Sequence, residues 1–188
     1  MAKIAGIEMC RAYNQQHGTQ YLAVMPTNLY GPGDNYDPQT SHVLPALIRK
    51  MHEAKLRNDK AVEIWGSGTP RREFLHADDL AQACLTLARL DDAHYARQIG
   101  AWRYPLINIG SGIDSTITEL AQTAADAVGF KGTLRYDASK PDGTPQKLLD
   151  VSRMAALGWR ARIGLVEGIA ATYRELLETR VLTDLVGS

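Results

Sequence analysis

Apolar residues recur along this chain at two spacings, and the two alternate. Residues 2–17 place Ile4, Ile7, Cys10 and Tyr13 at roughly helical intervals, which predicts an amphipathic helix. "HVLPALIRKMHEA", "LAQACLTLARL", "ITELAQTAADAVG" and a last segment from about Leu165 to Thr179 keep the same period. Between them stand short apolar runs of strand length: "YLAVMP", "AVEIW", the extended end of "GSGTPRREFLH", "LINIGSG" and "TLRYDAS". The punctuation agrees with that division. Pro45 falls in the first turn of its helix, where a missing N–H is tolerated. Thr116 and Glu119 make a capping box, and Gly129 stops the helix they open. Asp78 or Asp79 is expected to cap the helix that follows, and a short helix is expected around Val151 to Leu157. Residues 27–42 and 91–105 read as loops.

Strands alternating with helices predict an α/β layer architecture. Residues 1–188 are expected to form one unit, since no repeat, low-complexity stretch or interdomain linker interrupts them. Charge narrows the partners. Lysine plus arginine and aspartate plus glutamate each number 21, so no net field draws nucleic acid or an anionic membrane. Lys3, Glu8, Arg11 and His17 break up the first residues, which excludes a secretory signal there, and no apolar run is long enough to span a bilayer. Cys10 and Cys84 have neither metal-ligand spacing nor disulfide density. Both are expected at buried helix positions, in a soluble cytoplasmic protein without a metal.

Three segments carry more polar and turn-forming residues than a fold requires. Asn28 follows a strand, where ligands of α/β sheets bind, though it could equally form an Asx-turn that shapes the loop. In "WGSGTPRREF", Trp65 offers a flat face to a base and Arg72 a fork to phosphate or carboxylate; the alternative is a core aromatic beside a solvated arginine pair. In "KPDGTPQKLLDV", Lys140, Asp142 and Lys147 crowd a turn stiffened by two prolines, which suits a ligand or a plain surface turn. His42 precedes a helix and could simply be its N-terminal residue. "GSGT" and "GSGI" match neither the dinucleotide nor the Walker spacing. Spacing by itself therefore points to a ligand-binding α/β protein and to no particular reaction.

Taken in order, "VMPTNLYGPGDN", "SHVLPALIRK", "WGSGTPRREFLHADDLA", "INIGSG" and "DASKPDGTPQKLLDVSR" resemble the GDP-L-fucose synthase family, a branch of the extended short-chain dehydrogenase/reductase group. "NLYGP" and "FLHADD" are shared with many epimerases and dehydratases of that group, whereas "WGSGTPRREF" with "KPDGTPQKLLDV" is specific. The resemblance implies the C-terminal part of a Rossmann-like fold with a smaller substrate-binding portion. It implies conversion of GDP-4-keto-6-deoxy-mannose to GDP-L-fucose by epimerisation at carbons 3 and 5 and then reduction of the 4-keto group with NADP(H), in a homodimer.

By the same resemblance Lys3 would hold the nicotinamide ribose and His42 would act as ring acid or base. Pro26, Thr27, Asn28, Leu29 and His42 would line the cofactor, with Asn28 near the sugar. Lys50, Trp65, Arg72, Asp142 and Lys147 would hold the GDP portion and the sugar. Lys3 stands as the lysine of Y-x-x-x-K, so the tyrosine belongs two positions ahead of Met1, along with the first strands, the Gly-rich turn and the epimerising cysteine. The expectation is a C-terminal portion inactive by itself, with an open edge on "YLAVMP". A non-catalytic GDP-sugar-binding remnant and one half of a split nucleotide-sugar epimerase/reductase are the alternatives.

Overall fold

A computed structural model describes residues 1–96, 99 and 103–179. In chain order the elements are α1 (Ala2–His17), β1 (Ala23–Pro26), β2 (Asn28–Tyr30), α2 (Val43–Arg57), β3 (Ala61–Trp65), β4 (Arg71–His76), α3 (Ala77–Ala88) and α4 (Asp92–Tyr95). There follow β5 (Leu106–Ile109), β6 (Asp114–Thr116), α5 (Ile117–Val128), β7 (Thr133–Asp137), β8 (Gln146–Lys147), α6 (Ser152–Ala156) and α7 (Leu165–Glu178). The α/β alternation is as the apolar spacing predicts.

Parallel pairing dominates. β1 runs beside β5, with Ala23 opposite Leu106, and β3 runs beside β7, with Trp65 opposite Asp137. β4 is the junction of the third sheet. Its last residues pair in parallel with β2, and its first residues lie between antiparallel β6 and parallel β8. Alternate residues of a strand face opposite sides, so β4 serves two cores. Phe74 joins a cluster with Leu44, Ile48 and Met51 of α2, Leu120 and Ala124 of α5, and Ile169 and Leu176 of α7. Leu75 points the other way, to Ile107 and Ile109 of β5, Ala83, Met154 and Trp159.

Glu73, just ahead of those two in β4, is fully buried. Its carboxylate accepts from the backbone N–H of Gly112 at 2.7 Å and of Leu149 at 3.0 Å, and from Ser111 Oγ at 3.4 Å. Its carbonyl accepts from Thr27 Oγ1 at 3.1 Å and from the Asn28 amide at 2.8 Å. A buried carboxylate is costly unless donors replace its water, and here two separate segments, 111–112 and the one at Leu149, supply them. Gly110 lies so close that a Cβ there would collide with the carboxylate.

Several local expectations are corrected. β2 lies inside the stretch that reads as a loop, because three residues in a Gly/Pro-rich segment gain their strand character from the β4 ladder and not from propensity. Three-residue β6 ends directly at the Thr116 cap, whose box with Glu119 forms as predicted, and α5 stops at left-handed Gly129. α3 is capped by His76, whose ring accepts from the Asp78 N–H at 3.2 Å; neither Asp78 nor Asp79 caps it. Asp79 is drawn away because it is buried and accepts from the N–H groups of Arg162 and Ile163 at 3.0 and 2.9 Å.

α4 occupies part of the 91–105 stretch, of which residues 97, 98 and 100–102 fall outside the described residues. Cys84 is exposed and Cys10 half-buried, against the expectation of burial, because α1 buries no residue and α3 turns Cys84 to its outer face. Among the described residues β1 pairs on one side, with β5, and Val24 and Met25 are exposed.

Two outcomes are expected. Replacing Glu73 with Ala strands two backbone donors and opens a void, at about 3 kcal/mol; an unchanged urea midpoint would remove it as a joint of the fold. His52 of α2, at 9 % exposure, bonds the Tyr173 hydroxyl of α7 at 2.9 Å, and burial, followed by Lys55, holds its pKa below the ordinary 6.5. The unfolded chain therefore binds this proton more readily than the folded one. The contribution is whole above the ordinary value and is lost as pH falls through the lowered one. Thermal unfolding followed across that window will show a decline that His52→Gln flattens.

Candidate functional site

The strand period decides the position of Trp65. Val62 and Ile64 of β3 are buried, so Ala61, Glu63 and Trp65 share the outer face, and the indole is 67 % exposed at the strand's C-terminal end. It is not a core aromatic. Two ammonium groups approach its ring, Lys50 of α2 at 5.9 Å and Lys140 at 5.5 Å from the centroid. Lys50 is steadied by donating to the Glu63 carbonyl at 2.8 Å. Lys140 is brought round by a turn after β7, in which the Asp137 carboxylate accepts from the N–H and hydroxyl of Ser139 and the Asp137 carbonyl from the Lys140 N–H.

Immediately after Trp65, Gly66 at φ +86° turns the chain under the 141–143 segment. A Cβ there would strike the Asp142 carboxylate, so the close approach requires glycine. The approach lets Asp142 accept from both the N–H and the hydroxyl of Ser67, each at 2.7 Å. Those bonds, from the hydroxyl first, hold the Asp142 carboxyl below its ordinary range. "GSGT" and "KPDG" are thus clasped together, and both Asp142 oxygens serve the clasp.

Arg72 of β4 lies beyond the clasp. It stands opposite Lys147 of β8 in register, and a Cβ at Gly143 would sit 3.7 Å from its Nη2. One guanidinium nitrogen donates to the Arg71 carbonyl at 2.7 Å. Its neighbour Arg71 points to the other side of the strand and pairs with Asp114 at 2.8 Å, which lowers the Asp114 pKa. The two arginines are therefore not an equivalent solvated pair. Lys50 and Lys140 at Trp65, the Ser67–Asp142 clasp that follows, and Arg72 opposite Lys147 make up one candidate rim.

Pro26, Thr27, Asn28 and Leu29 lie at the C-terminal end of β1 and the start of β2. The Thr27 N–H donates to the Ile109 carbonyl at 3.0 Å, Leu29 pairs with Leu75, and Pro26 with Ile109. Asn28 is exposed, but its amide is pinned to the Glu73 carbonyl. His42 is the exposed N-cap of α2 with no side-chain cap bond, and Lys3 is exposed in the first turn of α1. Among the described residues no side-chain bond joins Lys3 or His42 to each other or to residues 26–29. Sequence reasoning passes over Ser67 and Glu73, which fix the rim. A buried acid in an otherwise strand-like hexapeptide is the only trace of Glu73, and Ser67 leaves none.

The sequence profile of the NAD dependent epimerase/dehydratase family matches residues 1–101. A GDP-L-fucose synthase of Escherichia coli K12 is 52 % identical over 96 % of this chain and 56 % of its own length. GDP-L-fucose synthase 1 of Arabidopsis thaliana is 52 % identical over 92 % of this chain and 50 % of its own. The chain thus spans about half the length of the curated relatives it matches. A solved GDP-mannoheptose C4 reductase from Campylobacter jejuni, with NADP bound, superposes with a TM-score of 0.78 at 38 % identity, over 92 % of this chain and 57 % of that one. A profile match across more than half of its residues makes this chain a member of the NAD dependent epimerase/dehydratase family.

Proposed function

We propose that this chain serves the reaction of the GDP-L-fucose synthases, in which GDP-4-keto-6-deoxy-mannose is epimerised at carbons 3 and 5 and reduced at carbon 4. The observation that carries the reading is the rim itself: an exposed indole flanked by two ammonium groups, and on the next strand in the chain a guanidinium with a third lysine opposite it. An aromatic face suits a purine base, and cations beyond it suit the diphosphate. The identities with the Escherichia coli and Arabidopsis thaliana synthases support the same substrate class.

Carbons 3 and 5 both adjoin the ketone, so loss of either proton leaves an enolate whose charge rests on the carbonyl oxygen. The proton returns to the opposite face of the carbon. His42, exposed and with its side chain unengaged at the N-terminus of α2, is the acid or base of this exchange. Lys3, whose ammonium is likewise unengaged, together with Pro26, Thr27, Asn28 and Leu29 at the carboxyl end of a parallel strand, fits the nicotinamide end of NADP(H). That cofactor supplies the hydride that reduces the 4-keto group. Asp142, locked by Ser67, fixes the turn that closes on the nucleotide, and Lys50 orients the base at Trp65. The reading includes a homodimeric cytoplasmic enzyme; among the described residues no helix is long and apolar enough to cross a membrane.

The test expresses the protein from its complete reading frame and supplies GDP-4-keto-6-deoxy-mannose and NADPH in deuterium oxide. GDP-L-fucose deuterated at carbons 3 and 5 is the expected product, and neither exchange nor reduction would end the reading. Trp65→Ala is expected to weaken GDP binding roughly tenfold in titration calorimetry, as loss of a stacked base does. His42→Gln is expected to slow exchange about 10²-fold or more while leaving GDP affinity unchanged. Exchange at the original rate would take His42 out of the chemistry.

A further inference from the structure

Behind Arg72 lies a cleft of about 180 Å³ lined by Phe74, Ser111, Ile113, Ser115 and the segment from Ala161 to Leu165. Pockets that enclose a whole drug-sized ligand run to roughly 300–1,000 Å³, so this one takes only part of a nucleotide sugar. Its two charged lining residues are Arg72 and Arg162, both guanidinium, with no carboxylate beside them. Two like charges are drawn to one cleft at a cost, which an anion between them removes.

Arg162 is well placed for that duty. Its backbone N–H and that of Ile163 are held by buried Asp79, so the chain is fixed where the side chain leaves it. Its guanidinium forms no hydrogen bond or ion pair with a described residue. Lys147 stands opposite Arg72 on the neighbouring strand β8.

We propose that Arg162 is a second anion-holding residue of this site, taking one phosphoryl group of the nucleoside diphosphate while Arg72 takes the other. The proposal rests on the nucleotide-sugar reading above. It adds a residue from the segment ahead of α7, remote in sequence from the rest of the rim. The position suits a diphosphate better than a monophosphate, because two forks on separate elements can each grip one phosphoryl group.

The test measures binding of GDP, inorganic pyrophosphate and guanosine by calorimetry to the full chain and to Arg162→Gln, Arg162→Lys and Arg72→Gln, with circular dichroism to verify folding. A charge-assisted bond to phosphate predicts that Arg162→Gln weakens GDP and pyrophosphate about tenfold or more, with guanosine unaffected and Arg162→Lys partly restored. Unchanged affinity in a folded Arg162→Gln, with loss in Arg72→Gln, overturns the role of Arg162 and leaves the nucleotide reading intact. Binding of pyrophosphate that depends on Arg162, without any binding of GDP, overturns the nucleotide reading and keeps the anion cleft. Binding of neither overturns both.

Discussion

The arrangement depends on a carboxylate that has left water. Glu73 sits in the middle of β4 with no exposed surface, and it is tolerable there because backbone donors on either side replace its hydration. Those donors belong to the turn after β5 and to the segment after β8. Its carbonyl meanwhile holds Thr27 and Asn28 at the end of β1. One residue therefore ties the strand end assigned to the cofactor to the segment that carries Lys147. The geometry between the two halves of the site is set by satisfaction of a buried charge, and apolar packing fills in around it.

The rim shows how a chain with balanced charge makes a cationic surface. Lys50, Lys140, Lys147, Arg72 and Arg162 come from five places in the sequence, and the fold gathers the first two at Trp65, sets Lys147 opposite Arg72 and brings Arg72 and Arg162 to one cleft. The carboxylates nearest them are engaged by the protein, Asp142 with Ser67 and Asp137 with Ser139. With no net charge behind it, the field of this rim is short in range, within about 8 Å at physiological salt. Such a field acts at contact and does little to draw an anion in from a distance.

Much of this was legible before the structure. The capping box at Thr116, the stop at Gly129 and the helices and longer strands follow from local spacing, since each is a contract between residues near in sequence. Elements that exist by virtue of a distant partner were not. β2 and β6 are three residues each and owe their conformation to β4. Asp79 has the form of a helix cap, yet long-range donors at Arg162 and Ile163 outbid the local one. The site divides in the same way: Trp65 and Arg72 flank one distinctive turn and Asp142 stands in another, while Ser67, Glu73 and Arg162 acquire meaning only from what lies across the fold.

The parallel pairing has a consequence in time. Ala23 must find Leu106 and Ala61 must find Thr133 before either pair of strands exists, and parallel strands cannot be nucleated by a tight hairpin. Contacts so remote along the chain make for slow folding. Helices such as α2 and α5 can form early from their own spacing, whereas the Glu73 joint and the rim require several distant segments at once. The rim is thus assembled late, close to the last step of folding, and a newly made chain lacks that surface until nearly all of it is in register.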